Sequence, residues 1–170
     1  MTDIDERVGR AGSQPRFQSI DLQQATDPLS KLISDFEHTG ILDDRDLLEL
    51  LRKVEQNNPE RCTKAPKFVA QLLTHKNAEI RKSAFKSALT ILSHEQNPRQ
   101  MLLDAYRLAL CCSDRHVAQY ALSLLPNFVD TCPEEANNLI KFGSLAYNKM
   151  PAPSTDSEMY LARAVTKASQ

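Results

Sequence analysis

One stretch of this chain comes twice. Asn77-Ala78-Glu79-Ile80-Arg81-Lys82-Ser83-Ala84 returns as Asp114-Arg115-His116-Val117-Ala118-Gln119-Tyr120-Ala121, with Ala121 standing 37 positions after Ala84. Each copy opens on a residue suited to cap a helix. It then sets a β-branched apolar residue and a small alanine on one helical face. A helical unit recurring at this interval predicts an α-solenoid, an all-α fold in which each unit buries its apolar face on its neighbours. Such folds usually hold other macromolecules and rarely do chemistry. The sequence does not select the partner.

The length of 170 residues suits one domain, or about four helical hairpins at roughly 40 residues each. Four glycines and no tryptophan argue against a sheet-rich fold, which needs glycine at tight turns. A net charge of −1 gives the whole chain no bias toward polyanions. The cysteines, Cys62, Cys111, Cys112 and Cys132, form no CxxC pair. Zinc knuckle spacing is therefore missing, and reduced, mostly buried thiols of an intracellular protein are expected. No segment approaches the ~18 apolar residues of a membrane span, and the acidic start Met1-Thr2-Asp3-Ile4-Asp5-Glu6 lacks a signal-peptide core.

Residues 1–26 show no sustained period and read as a flexible tail, in which Phe17, Ile20 and Leu22 leave open the alternative of a short docking segment. Residues 27–170 read as the repeat domain. Asp27 and Pro28 start a first helix with Leu29, Leu32, Ile33 and Phe36 inside, and Gly40 ends it. A second runs from about Asp44 to Gln56 on a stripe of Leu47, Leu48, Leu50, Leu51 and Val54. Asn58-Pro59-Glu60 opens a third, which Pro66 interrupts or kinks; Phe68, Val69, Leu72 and Leu73 face its core. Asn77 caps a fourth, with Ile80, Ala84, Phe85, Ala88, Leu89 and Leu92 inside. Asn97-Pro98 opens a fifth carrying Leu102, Leu103, Tyr106, Ala109 and Leu110. Ser113 or Asp114 caps a sixth with Val117, Ala121, Leu124 and Leu125, which Pro126 kinks or ends. Cys132-Pro133-Glu134-Glu135 starts a seventh with Leu139, Ile140, Phe142 and Leu145. Met150-Pro151-Ala152-Pro153 breaks the chain before a capping box, Thr155-Asp156-Ser157-Glu158, and an eighth helix through Ala168. The expectation is an α-α superhelix of about eight helices in four pairs. The apolar face of the last (Met159, Tyr160, Ala164, Val165) has no following repeat to cover it, as in a fragment of a longer solenoid or a terminal cap.

Charge is segregated. Between Asp21 and Leu51 eight acids face two bases, whereas between Arg52 and Lys86 nine bases face three acids. Lys67, Arg81, Lys82 and Lys86 cluster on one repeat and are the candidate partner contacts. The bland reading makes these bases solvated residues that pair with the acidic neighbour. The four histidines, His38, His75, His94 and His116, form no HExxH pair, and three fall near helix ends, where imidazole bonds terminal carbonyls. No nucleophile elbow and no phosphate-cradling glycine loop occurs, so neither an enzyme, a metal nor a cofactor is expected.

Asn77-x-x-Ile80-Arg81-x-x-Ala84 resembles the start of the second helix in HEAT repeats, where the pattern runs Asp, then Val-Arg, then Ala. Asp114-x-x-Val117-Ala118-x-x-Ala121 keeps the acid, the β-branched residue and the alanine, and has Ala118 where the arginine belongs. In HEAT repeats that arginine commonly joins a ladder with the acid of an adjacent repeat. The resemblance therefore implies that Arg81 reaches Asp114 and that the ladder stops one repeat later. It also implies a non-catalytic scaffold or adaptor of the HEAT or armadillo type, found in the nucleus or cytoplasm with other protein subunits as partners. HEAT proteins include nuclear transport receptors, phosphatase scaffolds and large subunits of RNA-processing assemblies such as the Integrator and polyadenylation complexes. Nothing in the sequence selects among them. The VHS and polymerase-tail-interacting domains, eight-helix superhelices that bind short peptides, are similar in outline but leave no diagnostic residue here. The competing function is binding of a nucleic-acid backbone or an acidic peptide through the bases of residues 61–86.

Overall fold

A computed structural model describes residues 28–39, 43–56, 64–94, 99–150 and 155–170. The expected tail over 1–26, the caps and stops at Asp27, Gly40, Asn58-Pro59-Glu60 and Asn97-Pro98, the Pro151–Pro153 break, Cys62 and the Leu29 side chain lie outside the described residues.

Among the described residues the chain is all-α, with nine α-helices. They are α1 (Pro28–Thr39), α2 (Asp44–Gln56), α3 (Ala65–Leu72), α4 (Ala78–Leu92), α5 (Arg99–Leu110), α6 (Arg115–Ser123), α7 (Leu125–Thr131), α8 (Ala136–Lys149) and α9 (Thr155–Ala168). Two rows result. α1, α3, α5 and α8 pack in succession along one, and α2, α4, α7 and α9 along the other, with α6 also against α9. Each helix of the first row also packs on the one that follows it in sequence, giving stacked hairpins. No hairpin can bury its own apolar stripe, so stacking supplies the core.

The duplicated stretch occupies equivalent places. Asn77 Oδ1 accepts from the backbone N–H of Glu79 and Ile80 and caps α4. Asp114, not Ser113, caps α6 by accepting from His116 N–H. Ile80, Val117, Ala84 and Ala121 are all fully buried, so what the copies share is packing.

The expected eight helices become nine because Pro126 ends one helix and begins another. Leu124 takes φ −97° and ψ 1°, outside the helical region, and Pro126 stands in the first turn of α7, where its missing N–H leaves no intrahelical bond unmade. Pro66 behaves the same way: it lies in the first turn of α3, which starts at Ala65. Before α8, Pro133–Glu135 form a 3-10 turn. The inner face of α8 is Ala136, Leu139, Gly143 and Ala146, and Leu145, expected inside, is 44% exposed. The helix is held close through its small residues, and that turns Leu145 outward. On α9, Ser157 and Ala164 are buried while Met159 and Val165 stay exposed.

At the centre, Phe85 meets the rings of Tyr106, Tyr120 and Phe128 edge-on, at centroid distances of 6.1, 5.4 and 6.1 Å. Tyr106 and Phe128 stack at 3.7 Å. These four rings come from α4, α5, α6 and α7, so they join both rows. Burial pushes the Tyr106 phenol well above its ordinary range, and its O–H donates to the Ala121 carbonyl at 2.7 Å.

Candidate interaction surface

The α3–α4 turn is built around Arg81. This residue is 6% exposed, and its Nη1 donates to the carbonyls of His75 (2.8 Å) and Lys76 (3.2 Å). The guanidinium thus holds the turn that leads from α3 into the Asn77 cap. The same turn is tied to α2. Asn77 Nδ2 donates to Asp44 Oδ2 at 3.0 Å, and His75 Nε2 lies 3.8 Å from Asp44 Oδ1. His75 Nδ1 accepts from the Asn77 N–H.

This geometry redistributes the four candidate contacts. Arg81 is withdrawn from the surface. Lys86 is exposed but its Nζ is 2.5 Å from Glu55 Oε1 on α2, the neighbour pairing of the bland reading. Lys67 and Lys82 are exposed. The Arg81–Asp114 ladder does not form: among the described residues no ion pair joins them, because Arg81 is turned back onto carbonyls of its own repeat and Asp114 is occupied as a cap. Replacing Arg81 with alanine leaves two turn carbonyls without their donor and is expected to destabilise the chain by about 1–3 kcal/mol. Lys67→Glu and Lys82→Glu should each stay within about 0.5 kcal/mol. Urea titration of the three variants checks this. Equal effects at all three positions would contradict the separation.

Stitches between repeats come from residues the sequence reading passed over. Arg99 Nη2 donates to the Leu92 carbonyl at 2.9 Å, and its Nη1 pairs with Glu134 ahead of α8. Arg107 Nη2 is 3.3 Å from Glu135 Oε2, and its guanidinium lies 5.4 Å from the Phe142 ring centroid. Lys167 on α9 reaches Asp130 on α7 at 3.6 Å. The available signal was Arg99 and Arg107 eight residues apart on α5, facing the adjacent acids Glu134 and Glu135.

Grooves open on the surface of the described residues. One, of about 300 Å³, lies between α1 and α2 and is lined by Leu32, Phe36 and Leu50 with Asp46 and Glu49 among its polar residues. Another, of about 260 Å³, lies where α5 ends, α6 begins and α8 ends, against Cys111, Cys112, Ser113, Ala118, Lys149 and Met150. Cys111 is exposed, Cys112 half-buried and Cys132 buried; none of the three is in a disulfide. Burial raises the Cys132 thiol, the nearby Arg99 charge lowers it, and Glu134 and Glu135 add to the rise. Among the described residues no three potential metal ligands come together, and no helix is long and apolar enough to cross a membrane.

Stacked hairpins, a continuous core and a surface of grooves and paired charges define a helical-repeat protein. Comparison with known protein families matches residues 23–133 to the R4 domain of Integrator complex subunit 1. That match spans well over half of the chain, which therefore belongs to this family. No curated protein and no solved structure matches.

Proposed function

We propose that this chain is a non-catalytic, HEAT-type scaffold domain that holds other protein subunits within a nuclear Integrator-type assembly. The observation that carries the reading is the family match over residues 23–133. The two-row stack of hairpins supports it, since such a stack offers long, rigid surfaces of modest chemistry. Of the four candidate contacts, Lys67, Lys82 and Lys86 are exposed, and Lys86 is paired with Glu55. The polyanion reading has weaker support. Of the bases in residues 61–86, Arg81 is buried and Lys86 is paired, while Lys67, Lys76 and Lys82 are exposed, so fewer cations are left to displace counterions.

Affinity purification of the tagged full chain from nuclear extract, followed by mass spectrometry, tests the proposal. Co-purification of Integrator subunits is the expected result, with recovery reduced by Lys67→Glu/Lys82→Glu. A preparation that captures nucleic acid in a salt-sensitive way and no Integrator subunit would overturn it.

A further inference from the structure

α1 stands at the end of the first row. α3 and α5 each lie between two row neighbours, whereas among the described residues no helix precedes α1. Its apolar side is covered only in part. Ile33 is fully buried, but Leu32 is 38% exposed. Phe36 meets Phe68 of α3 edge-on, with ring centroids 5.2 Å apart, and is still only half-buried. Leu32 and Phe36, with Leu50 of α2, are the apolar lining of the α1–α2 groove. Its charged lining is Asp35, Asp46 and Glu49 against Lys53, three carboxylates to one ammonium. Asp46 and Glu49 are exposed. The groove therefore suits an occupant that brings both an apolar side chain and positive charge.

We infer that the occupant is the chain's own residues 7–20, which lie outside the described residues. They carry Arg7, Arg10 and Arg16, no acid, and the apolar residues Val8, Phe17 and Ile20. Arginine forks its donors toward a carboxylate, so Arg16 suits Asp46 and Glu49. Phe17, the next residue, supplies a ring for the lining of Leu32, Phe36 and Leu50. The reach is sufficient. Phe17 is 11 residues before Pro28, about 36 Å of extended chain. Phe36 lies eight residues into α1, about 12 Å along its axis, so the chain can double back onto the groove. Exposed ion pairs contribute little singly, and the ring together with the tether supplies most of the hold. A short tether sets an effective concentration in the millimolar range, which a second copy or a partner's cationic segment must exceed. The strap needs no partner subunit, so it stands or falls separately from the scaffold reading.

The test uses the purified full chain. Amide exchange is compared between the parent and Arg16→Glu/Phe17→Ser. Exchange over residues 30–39 and 46–56 should rise about fivefold or more, the effect of uncovering part of a phenylalanine contact, with α8 unchanged. Glu49→Arg should raise it in the same segments, and joining Glu49→Arg to Arg16→Glu should recover part of the protection. Exchange in Arg16→Glu/Phe17→Ser equal to that of the parent would overturn the strap and leave the groove to a partner's cationic segment. Arg16→Lys gives a second measurement that keeps the charge and does not depend on a disruptive variant. Carbodiimide should join the introduced lysine to Asp35, Asp46 or Glu49, detected by peptide mass spectrometry. Cross-links confined to carboxylates of other helices would overturn the placement. Cross-links that join isotopically light to heavy copies would overturn it too, and would assign the groove to a second copy.

Discussion

Replacing Phe85 with alanine is expected to remove about 3–5 kcal/mol of stability, the range for deleting a fully buried phenylalanine. Phe85 has no exposed surface and touches rings contributed by α5, α6 and α7. The loss has two parts: the transfer free energy of the ring, and a cavity that those three elements are too constrained to close. Edge-to-face contacts add about 0.5–1.5 kcal/mol each beyond area, so the upper half of the range applies. For a chain of this size each kcal/mol moves the thermal midpoint by about 2–4 °C, which places the variant roughly 10 °C or more below the parent. Calorimetry measures the shift directly. A midpoint within about 3 °C of the parent would show that the four rings do not form one packed unit. Phe85→Leu keeps most of the volume and should recover more than half of the loss.

Gly143→Val is expected to destabilise the chain by about 3 kcal/mol, at the upper end of the over-packing range. A Cβ built at Gly143 comes within 2.6 Å of Leu125 Cδ2 and 3.6 Å of Leu122 Cδ1. Both leucines are fully buried, so the displaced methyl has no free volume to enter. Gly143→Ala gives the instructive contrast. Its methyl meets the same leucine, but alanine gains about 1 kcal/mol over glycine in a helix interior, and that offsets much of the clash. Valine adds two γ-methyls at the same contact and lacks most of the propensity gain. Urea denaturation of the pair should therefore separate them by about 2 kcal/mol or more. Equal stability would mean that α8 moves away from α6 and α7 to admit the side chain, a shift visible as increased amide exchange along α8.

What the sequence made legible was local or periodic. Asn77 and Asp114 cap their helices because a cap needs only its own side chain and the next two or three N–H groups. The buried sets of α3 and α5 follow from helical spacing alone, and all of Phe68, Val69, Leu72, Leu73, Leu102, Leu103, Tyr106, Ala109 and Leu110 are inside. Prolines were legible as breaks, but not in their consequence. Whether Pro126 kinks a helix or divides it depends on what packs against both halves. Arg81 shows the limit for candidate contacts. The residue was visible, yet the acid one repeat away and the carbonyls of its own turn were equally available partners on paper. Only the fold, which turns the side chain inward, decides between them. Arg99 and Arg107 were missed for the converse reason: their acids lie 35 and 28 residues downstream, beyond any local pattern.

The break at Leu124 also has a consequence for the order in which the chain acquires its structure. α6 and α7 flank the break, and α9 packs along both of them. One partner that packs on both short helices therefore begins about 30 residues later, at Thr155. Synthesis delivers residues at about 5–20 per second, so α6 and α7 wait on the order of seconds for α9. During that interval α8, through Gly143, already packs against Leu122 and Leu125. The glycine that admits close packing in the finished stack is thus also what lets α8 act as an interim cover for a nascent chain.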